Sequence, residues 1–282
     1  MSNCYNDLIA NNQNKFEHME YQLDGTYAAM DIGKKRKRQE DGVLILEHPH
    51  TVSTIIGIAD GMGGLNNGAD SSNLALRLLA EWYLSKTNLS INLRELDSLF
   101  NEIDYSVRNN CNGGGTTLSA AIIMPENTTF INIGDSRIYI NDINNAFYQL
   151  SIDHSITWEL FLNGSINKKD DMRFHKKNNL ITSRLGCEKK KLTIDYFDYK
   201  TSDYDEIFLF TDGITDCISD DKLSEIIHNS NKNEINNNIM YEALNSVSIN
   251  YELDSENYYH EIDGGKDNAS IVYYSRRRVR RL

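Results

Sequence analysis

The chain has 282 residues, of which 40% are hydrophobic and 25% are charged, and this composition is typical of a globular protein with a substantial core. Its formal net charge of −12 argues against general affinity for nucleic acid, because phosphate backbones attract proteins with an excess of Lys and Arg. No run approaches the roughly 20 apolar residues that span a bilayer, and residues 1–20 lack a secretory-signal pattern, so we expect a cytoplasmic protein.

Cysteine and proline usage bears on the compartment and on domain number. The four cysteines are scattered without a CxxC pair, which predicts neither a zinc site nor a disulfide framework and agrees with a reducing compartment. Two prolines occur and no Gly/Ser-rich stretch offers a linker, so one domain is favoured. We expect a polar arm over residues 1–20, a single domain over 21–275 and a basic tail over 276–282, in a monomer.

In chain order, the first regular elements are two strand-like apolar runs, over residues 42–48 and 51–59, the second of which ends at Asp60. Apolar residues then recur every three or four positions, which predicts two amphipathic helices. The apolar face of the first comprises Leu74, Leu78, Leu79 and Trp82, and that of the second comprises Leu93, Leu96, Phe100, Ile103 and Val107.

The second half of the chain alternates less regularly between elements. Residues 116–124 and 128–140 are separated by a turn too short for a parallel crossover, so they are predicted to be neighbouring antiparallel strands. A short helix ending at Gly164 and a mobile polar loop over residues 165–180 should follow. The last predicted elements are a strand over 205–213, helices over 220–229 and 235–248, and a strand over 268–275. Strands grouped around paired helices predict an α+β layered sandwich.

Acidic residues mark the ends of these strands: Glu40, Asp41, Asp60, Asp135, Asp212 and Asp267. For any one of them, a turn residue or a helix cap is the simpler interpretation. Buried strands bring their ends together, however, and clustered carboxylates raise one another's pKa unless cations neutralise them. Mg²⁺ and Mn²⁺ prefer such oxygen ligands, and two such ions can activate a water for attack on phosphorus. The hypothesis is therefore metal-assisted hydrolysis of a phosphoester.

Two basic runs interrupt this acidic chain. "KKRKR" at 34–38 has the composition of a localisation signal or a patch that binds polyanions. "RRRVRR" at 276–281 is interpreted as a solvated, mobile end, with an acidic partner or a membrane surface as the alternative.

Eight ordered motifs between residues 25 and 275 resemble those of the metal-dependent PPM family, the 2C-type protein serine/threonine phosphatases. They are "DIGKKRKRQED" (31–41), "GIADGMGG" (57–64), "GGGTTLSAAII" (113–123), "INIGDSRIYI" (131–140), "SIDHSITWELFLNG" (151–164), "NLITSRLG" (179–186), "IFLFTDGITD" (207–216) and "KDNASIVYY" (266–274). The resemblance implies a four-layer α/β/β/α sandwich with two central antiparallel sheets, in a member of bacterial type.

The resemblance also implies a role for each site residue. Asp60 would bridge two Mg²⁺ or Mn²⁺ ions, with the backbone carbonyl of Gly61 as a further ligand, and a hydroxide between the ions would attack phosphorus directly. The remaining implied ligands are Glu40 and Asp41 near the first ion, Asp212 and Asp267 at the other, and Asp135 and Asp216 at a third, weaker site. Arg36 would bind the substrate phosphate, since a guanidinium can form two parallel hydrogen bonds to it. This makes a localisation signal at 34–38 less favoured.

One departure from the family pattern and three functions remain open. Met62 stands where some relatives have a histidine that protonates the leaving alcohol, so that proton must come from metal-bound water or another residue. His154 is a candidate, although a structural role is favoured, and residues 163–178 occupy the place of the family's flap. The leading function is a phosphoprotein phosphatase that opposes a serine/threonine kinase. The alternatives are a pseudophosphatase that only binds a partner and a phosphatase of small metabolites.

Overall fold

Two antiparallel sheets form the centre of the protein in a computed structural model, which describes residues 18–23, 25–63, 67–88, 90–187 and 192–276. The six-stranded sheet has the order β1 (His18–Leu23), β2 (Thr26–Asp31), β15 (Ala269–Ser275), β12 (Tyr204–Phe210), β9 (Arg137–Asp142) and β10 (Phe147–Gln149). The five-stranded sheet has the order β11 (Asp195–Lys200), β8 (Asn127–Ile133), β7 (Leu118–Ile123), β4 (Thr54–Ala59) and β3 (Gly42–Glu47).

Two short hairpins lie outside the main sheets. One pairs β5 (Gly61–Met62) with β6 (Gly115–Thr116), and the other pairs β13 (Val247–Ile249) with β14 (Glu261–Asp263). The helices are α1 (Asn67–Leu84), α2 (Leu93–Asn110), α3 (Ile156–Leu162), α4 (Asp212–Thr215), α5 (Asp220–Asn229) and α6 (Ile235–Asn245). None of these helices in the described part of the chain has the length and apolar character needed to span a bilayer.

Three buried clusters separate four layers. The central cluster lies between the sheets and joins residues such as Ile56 and Phe130 of one sheet to Leu209 and Val272 of the other. A second cluster packs α1 and α2 on the five-stranded sheet, and a third packs α5 and α6 on the six-stranded sheet. The predicted α+β fold, a four-layer α/β/β/α sandwich, is therefore confirmed.

The buried face of α1 is broader and composed of smaller residues than the leucine pattern predicts. Ala75, Leu76, Leu79, Ala80 and Tyr83 are fully buried, whereas the other predicted face residues are only partly buried at its side: Leu74, Leu78 and Trp82. Small side chains let the helix approach the sheet closely. In α2 the predicted face is correct except at its first residue, Leu93, whose exposed fraction is 47%.

The predicted strand over 128–140 is in fact two strands in different sheets. Residues 127–133 form β8 beside β7, as expected, but 137–142 form β9 in the other sheet, so the second half of this prediction was wrong. The break falls at Gly134, whose φ of +105° favours glycine, and a Cβ there would lie 2.6 Å from Cγ2 of Thr117. This crossing places Asp135 between the two sheets.

The flap segment, residues 163–178, is packed rather than mobile, contrary to the prediction of a loop over 165–180. Its 3₁₀ helix, Lys169–Phe174, buries Met172 and Phe174, and Ile166 is buried just before it. The backbone amide of Tyr259 donates to the carbonyl of Phe174 at 2.8 Å, so the chain beside β14 holds the flap segment in place. The sequence did not predict this burial because the segment is mostly polar and only a few of its residues are apolar and buried.

The described residues include only the last three residues of the predicted arm and the first residue of the predicted tail. Strand β1 begins at His18, so residues 18–20 of the predicted arm lie in the first strand. Residues 1–17 and 277–282 lie outside the described residues. The division of the chain into these three segments therefore stays a prediction.

Candidate active site

Asp60 follows β4 directly, and its backbone is fixed by Thr116 at the end of β6 and by Thr117, which lies between β6 and β7. Its amide donates to Oγ1 of Thr117 at 2.9 Å, and its carbonyl accepts from the amide of Thr117 and from Oγ1 of Thr116, both at 2.9 Å. Burial raises the pKa of the Asp60 carboxyl well above its usual range, and the nearby charge of Asp212 raises it further. The backbone amide and carbonyl of Asp60 are therefore both hydrogen-bonded, and its side chain lies in a cluster of acids.

Asp212 lies two residues after the end of β12, a strand of the other sheet, and begins the one-turn helix α4. Burial and the charge of Asp267 raise the pKa of its carboxyl to about 6, although a hydrogen bond with Asp60 partly opposes this. Its Oδ1 atom is buried and has no hydrogen-bond partner among the described residues. An unpartnered buried carboxylate oxygen is costly unless a cation binds there.

Asp41 comes from the loop before β3 and reaches across to the other sheet. Its Oδ2 atom accepts hydrogen bonds from Oγ of Ser270 at 2.7 Å and Oγ1 of Thr211 at 3.0 Å. Burial raises the pKa of this carboxyl to about 8, with a further increase from the charge of Asp212. These two hydroxyl residues hold Asp41 at the cluster, although strand-end acids alone gave no reason to select them.

Arg36 lies at the edge of the cluster and pairs with Asp267, with 2.5 Å between Nη2 and Oδ2. Asn268 shapes the loop that carries it, because Nδ2 donates to the carbonyls of Ile32 and Arg38 at 2.9 Å each. The amide of Glu40 donates to Oδ1 of the same Asn268 at 2.8 Å. Arg36 therefore lies beside Asp267 at the edge of the cluster, and Asn268, which the motif contained but sequence reasoning did not single out, holds the loop that carries it.

Gly61 is tightly enclosed between the loop of Glu40 and the start of α1. A Cβ at Gly61 would lie 2.2 Å from the carbonyl oxygen of Gly68 and 2.4 Å from that of Glu40. A Cβ at Gly68 would in turn lie 2.8 Å from both Oε1 of Glu40 and the carbonyl oxygen of Gly61. The carbonyl of Gly61 and the carboxylate of Glu40 thus border one small space that side chains at these glycines would fill.

A second group of acids surrounds Asp135 and Asp216. Burial, followed by the charge of Asp212, raises the pKa of both carboxyls, that of Asp216 to about 8. A cavity of about 10 Å³ between them is the size of one water or ion. Asp153 also lines it and forms a buried ion pair with Arg137, with 2.7 Å between Oδ2 and Nη2.

Three residues of this second group escaped the sequence analysis, namely Arg137, Asp153 and Asn178. Nδ2 of Asn178 donates to Oδ2 of Asp216 at 2.8 Å, which ties the flap segment to the carboxylates. Two of the three lie within motifs already noted, "GDSR" and "DHS", so their signal was present. Their roles depend on contacts across the fold.

His154 has the structural role that the sequence favoured. Its Nδ1 atom accepts a hydrogen bond from the amide of Gly134 at 3.1 Å, so Nε2 carries the proton that faces Asp195 at 3.1 Å. The ring therefore joins the turn before Asp135 to the edge strand β11.

The donor set fits divalent metal ions bound with several waters. Within the described residues, no group of three or more Asp, Glu, His or Cys side chains is arranged to hold a metal ion. Mg²⁺ commonly uses one or two carboxylates and keeps several waters, so such a group is not required. The carboxyls that raise one another's pKa and the unpartnered oxygen of Asp212 are what a cation would neutralise.

A cleft of about 420 Å³ opens beside the cluster. Asp212, Asp216 and Asp267 line it, together with Tyr259 and with Glu261 of β14. A phosphorylated side chain could reach the aspartates by this route.

Comparisons with known proteins agree with this geometry. The sequence profile of the Protein phosphatase 2C family matches residues 34–246. The chain belongs to this family. It is therefore a serine/threonine protein phosphatase of the 2C type. The phosphatase is 28% identical over 256 residues to the serine/threonine phosphatase Stp of Listeria welshimeri, covering 87% of this chain and 93% of that protein. It is 29% identical over 208 residues to the protein phosphatase PhpP of Streptococcus pneumoniae, covering 70% and 81%.

Solved structures support the same fold. Serine/threonine phosphatase Stp1 from Staphylococcus aureus gives a TM-score of 0.74 at 21% identity, covering 94% of this chain and 100% of that one. The serine/threonine phosphatase PstP/Ppp of Mycobacterium tuberculosis gives 0.71 at 23% identity, covering 90% and 98%. A catalytic domain of PstP solved with two manganese ions gives 0.67 at 23% identity, covering 89% and 96%.

Proposed function

We propose that this phosphatase removes phosphate from phosphoserine and phosphothreonine in proteins with two bound Mg²⁺ or Mn²⁺ ions and a third, weaker one. The observation that carries the proposal is the cluster of buried carboxyls around Asp60, whose pKa values are raised, together with the unpartnered, buried Oδ1 of Asp212. The PstP structure that contains two manganese ions supports the choice of metal. The substrates would be phosphoproteins made by a serine/threonine kinase that this enzyme opposes.

The proposed ligands come from both sheets. Asp60 would contact both main ions, and the backbone carbonyl of Gly61 would contact one of them. The remaining proposed ligands are Glu40, Asp41, Asp212 and Asp267 at the main site, and Asp135 and Asp216 at the weaker one. When bound, the ions would neutralise these carboxylates, lower the pKa of an attacking water and stabilise the phosphate's developing charge.

The protein's own residues would orient the substrate. Arg36 would exchange its contact with Asp267 for the substrate phosphate, and its planar guanidinium would bind two phosphate oxygens at once. Asn268 would hold the Arg36 loop in position through its bonds to the carbonyls of Ile32 and Arg38. Met62 cannot donate a proton, so the leaving alcohol would receive its proton from metal-bound water or from another residue.

The test of this function compares substrates in the presence and absence of metal. With Mn²⁺, we expect kcat/KM on phosphothreonine peptides to exceed that on sugar phosphates and nucleotides by about tenfold or more, because remote contacts contribute to transition-state binding. A chelator should abolish both activities. A clear preference for a small phosphoester would support the metabolite alternative instead, and equal turnover with a chelator would exclude the metal role.

Replacing Arg36 with Ala is expected to lower kcat/KM on every phosphate ester by about a hundredfold, because a pre-positioned charged donor is lost. Arg36→Lys should recover only part of this, since an ammonium group cannot form the paired bonds. Steady-state kinetics would measure both effects. Mn²⁺ binding to the Arg36→Ala variant, measured by calorimetry, should be at least as tight as in the wild type because Asp267 is released. Weaker Mn²⁺ binding would contradict the assigned role.

A further inference from the structure

The basic loop, residues 34–38, is an exception on a chain whose net charge is −12. It has five consecutive cationic residues, and all five are exposed. Arg36 pairs with Asp267, but Lys35 and Lys37 form no ion pair with any carboxylate of the described residues. Their charge is therefore available to a partner.

Both ends of the basic loop are fixed to the turn that carries Asp267. The amide of Lys34 donates to the carbonyl of Gly265 at 2.7 Å, and Asn268 holds the carbonyl of Arg38. Gly33 has φ of +77°, and a Cβ there would lie 2.2 Å from the carbonyl oxygen of Asp267, so the backbones approach closely. The cations on either side of Arg36 therefore stand at a set place beside the phosphate site.

We propose that the basic loop binds anionic side chains next to the phosphorylated residue of the substrate, with Lys35 and Lys37 as the contacts that set this preference. This inference rests on the proposed function, because it takes Arg36 as the phosphate ligand. Residues of an extended peptide follow each other at about 3.3–3.6 Å, so neighbours of a phosphoresidue at Arg36 reach the adjacent lysines. Aspartate and glutamate carboxylates fit them, as does a second phosphate.

Charge balance makes this preference specific to the loop. The chain as a whole repels acidic segments, so an acidic substrate gains favourable contacts only where cations are grouped. Arg36 engages the reacting phosphate of any substrate. Lys35 and Lys37 add attraction only when the substrate carries a further anion. Arg36 would therefore serve catalysis, whereas the two lysines would recognise the residues around the phosphorylated one.

The experiment compares phosphothreonine peptides whose flanking residues are Asp, Asn or Lys, together with one that carries a second phosphothreonine. At low salt, we expect the wild-type kcat/KM to be about tenfold higher for the Asp peptide than for the Lys peptide. Lys35→Glu and Lys37→Glu should each lower kcat/KM on the Asp peptide about fivefold. Hydrolysis of an aryl phosphate should not change. The matched control is Lys200→Glu, an exposed lysine at the far end of β11, which should leave all rates unchanged.

The outcomes separate the two levels of the proposal. Equal wild-type kcat/KM on the Asp, Asn and Lys peptides would overturn the inference while leaving the proposed function intact. An equal loss on the aryl phosphate would also overturn it, since the lysines would then act only through Arg36. If the wild-type kcat/KM is higher than on the Lys peptide only for the doubly phosphorylated peptide, and not for the Asp peptide, the basic loop binds a second phosphate and does not bind carboxylates. No hydrolysis of any substrate by the wild type would instead contradict the proposed function.

Discussion

Replacing Asp60 with Asn is expected to lower Mn²⁺-dependent hydrolysis of an aryl phosphate by about a thousandfold or more, since it removes the proposed shared ligand of both ions. The backbone of Asp60 is held by Thr116 and Thr117 through main-chain atoms, and Asn preserves those contacts. The fold should therefore survive. The loss should appear in kcat, and it should be as large on phosphopeptides, which make further contacts with the protein, as on the aryl phosphate.

At alkaline pH, the same variant should be more stable than the wild type when metal is absent. Burial, followed by the charges of Asp212 and Asp41, raises the pKa of the Asp60 carboxyl, so its ionised form destabilises the metal-free fold. A neutral amide removes that charge at a pH where the acids of the cluster ionise. Thermal unfolding with a chelator measures this gain, and adding Mn²⁺ at a hundred times its dissociation constant should stabilise the wild type by about 2.7 kcal/mol but Asp60→Asn far less.

Asp142→Asn is the matched control for this experiment. Asp142 ends β9 at the side away from the cluster and caps a turn by accepting from the amides of Asn144 and Ala146. Its replacement should leave both activity and the response to Mn²⁺ unchanged. Turnover of Asp60→Asn at near wild-type rates, or an undiminished response to Mn²⁺, would remove Asp60 from the metal centre.

Metal-free protein is expected to lose stability as the pH rises from about 6 to about 9. The folded state raises the pKa of Asp41 and Asp216 from 3.8 to about 8. The folded chain therefore binds these protons more tightly than the unfolded chain does. Their contribution to stability is fully present below about pH 4 and is lost as the pH passes through about 8, so stability falls across this range.

The size of this effect follows from two buried groups. One pKa unit corresponds to about 1.36 kcal/mol, so we expect the melting temperature to fall by about 5 °C or more between pH 6 and pH 9. Circular dichroism with a chelator would measure it. Mn²⁺ should flatten the profile because a bound cation favours ionised carboxylates, and Asp41→Asn should flatten it without metal. A melting temperature that rises over this range without metal would contradict the raised pKa values.

Local sequence patterns predicted the individual helices and strands well, but they predicted less well which strands pair with one another. The alternation and length of the runs before Asp60 and Asp212 identified β4 and β12, because a strand's character depends on its own residues. The assignment of β9 to the second sheet depended on a turn at Gly134 and on contacts with β12. Short-range patterns do not contain that information.

The candidate site shows the same division. Acids such as Asp41 and Asp212 were predicted because metal chemistry requires carboxylates. The residues that hold them, such as Thr211, Ser270 and Asn268, have side chains that occur in any turn or strand. Their importance comes from hydrogen bonds between segments more than a hundred residues apart, which no local pattern reveals.

The crossing of the chain at Gly134 and the reach of Asp41 to Ser270 mean that the acids of this centre belong to both halves of the sandwich. Asp41 and Asp60 adjoin the five-stranded sheet, whereas Asp212 and Asp267 adjoin the six-stranded one. Neither sheet by itself carries the proposed set of ligands. Sliding of one sheet over the other would change the distances between these two pairs of acids, so the apolar core between the sheets determines the accuracy of the chemistry at its edge.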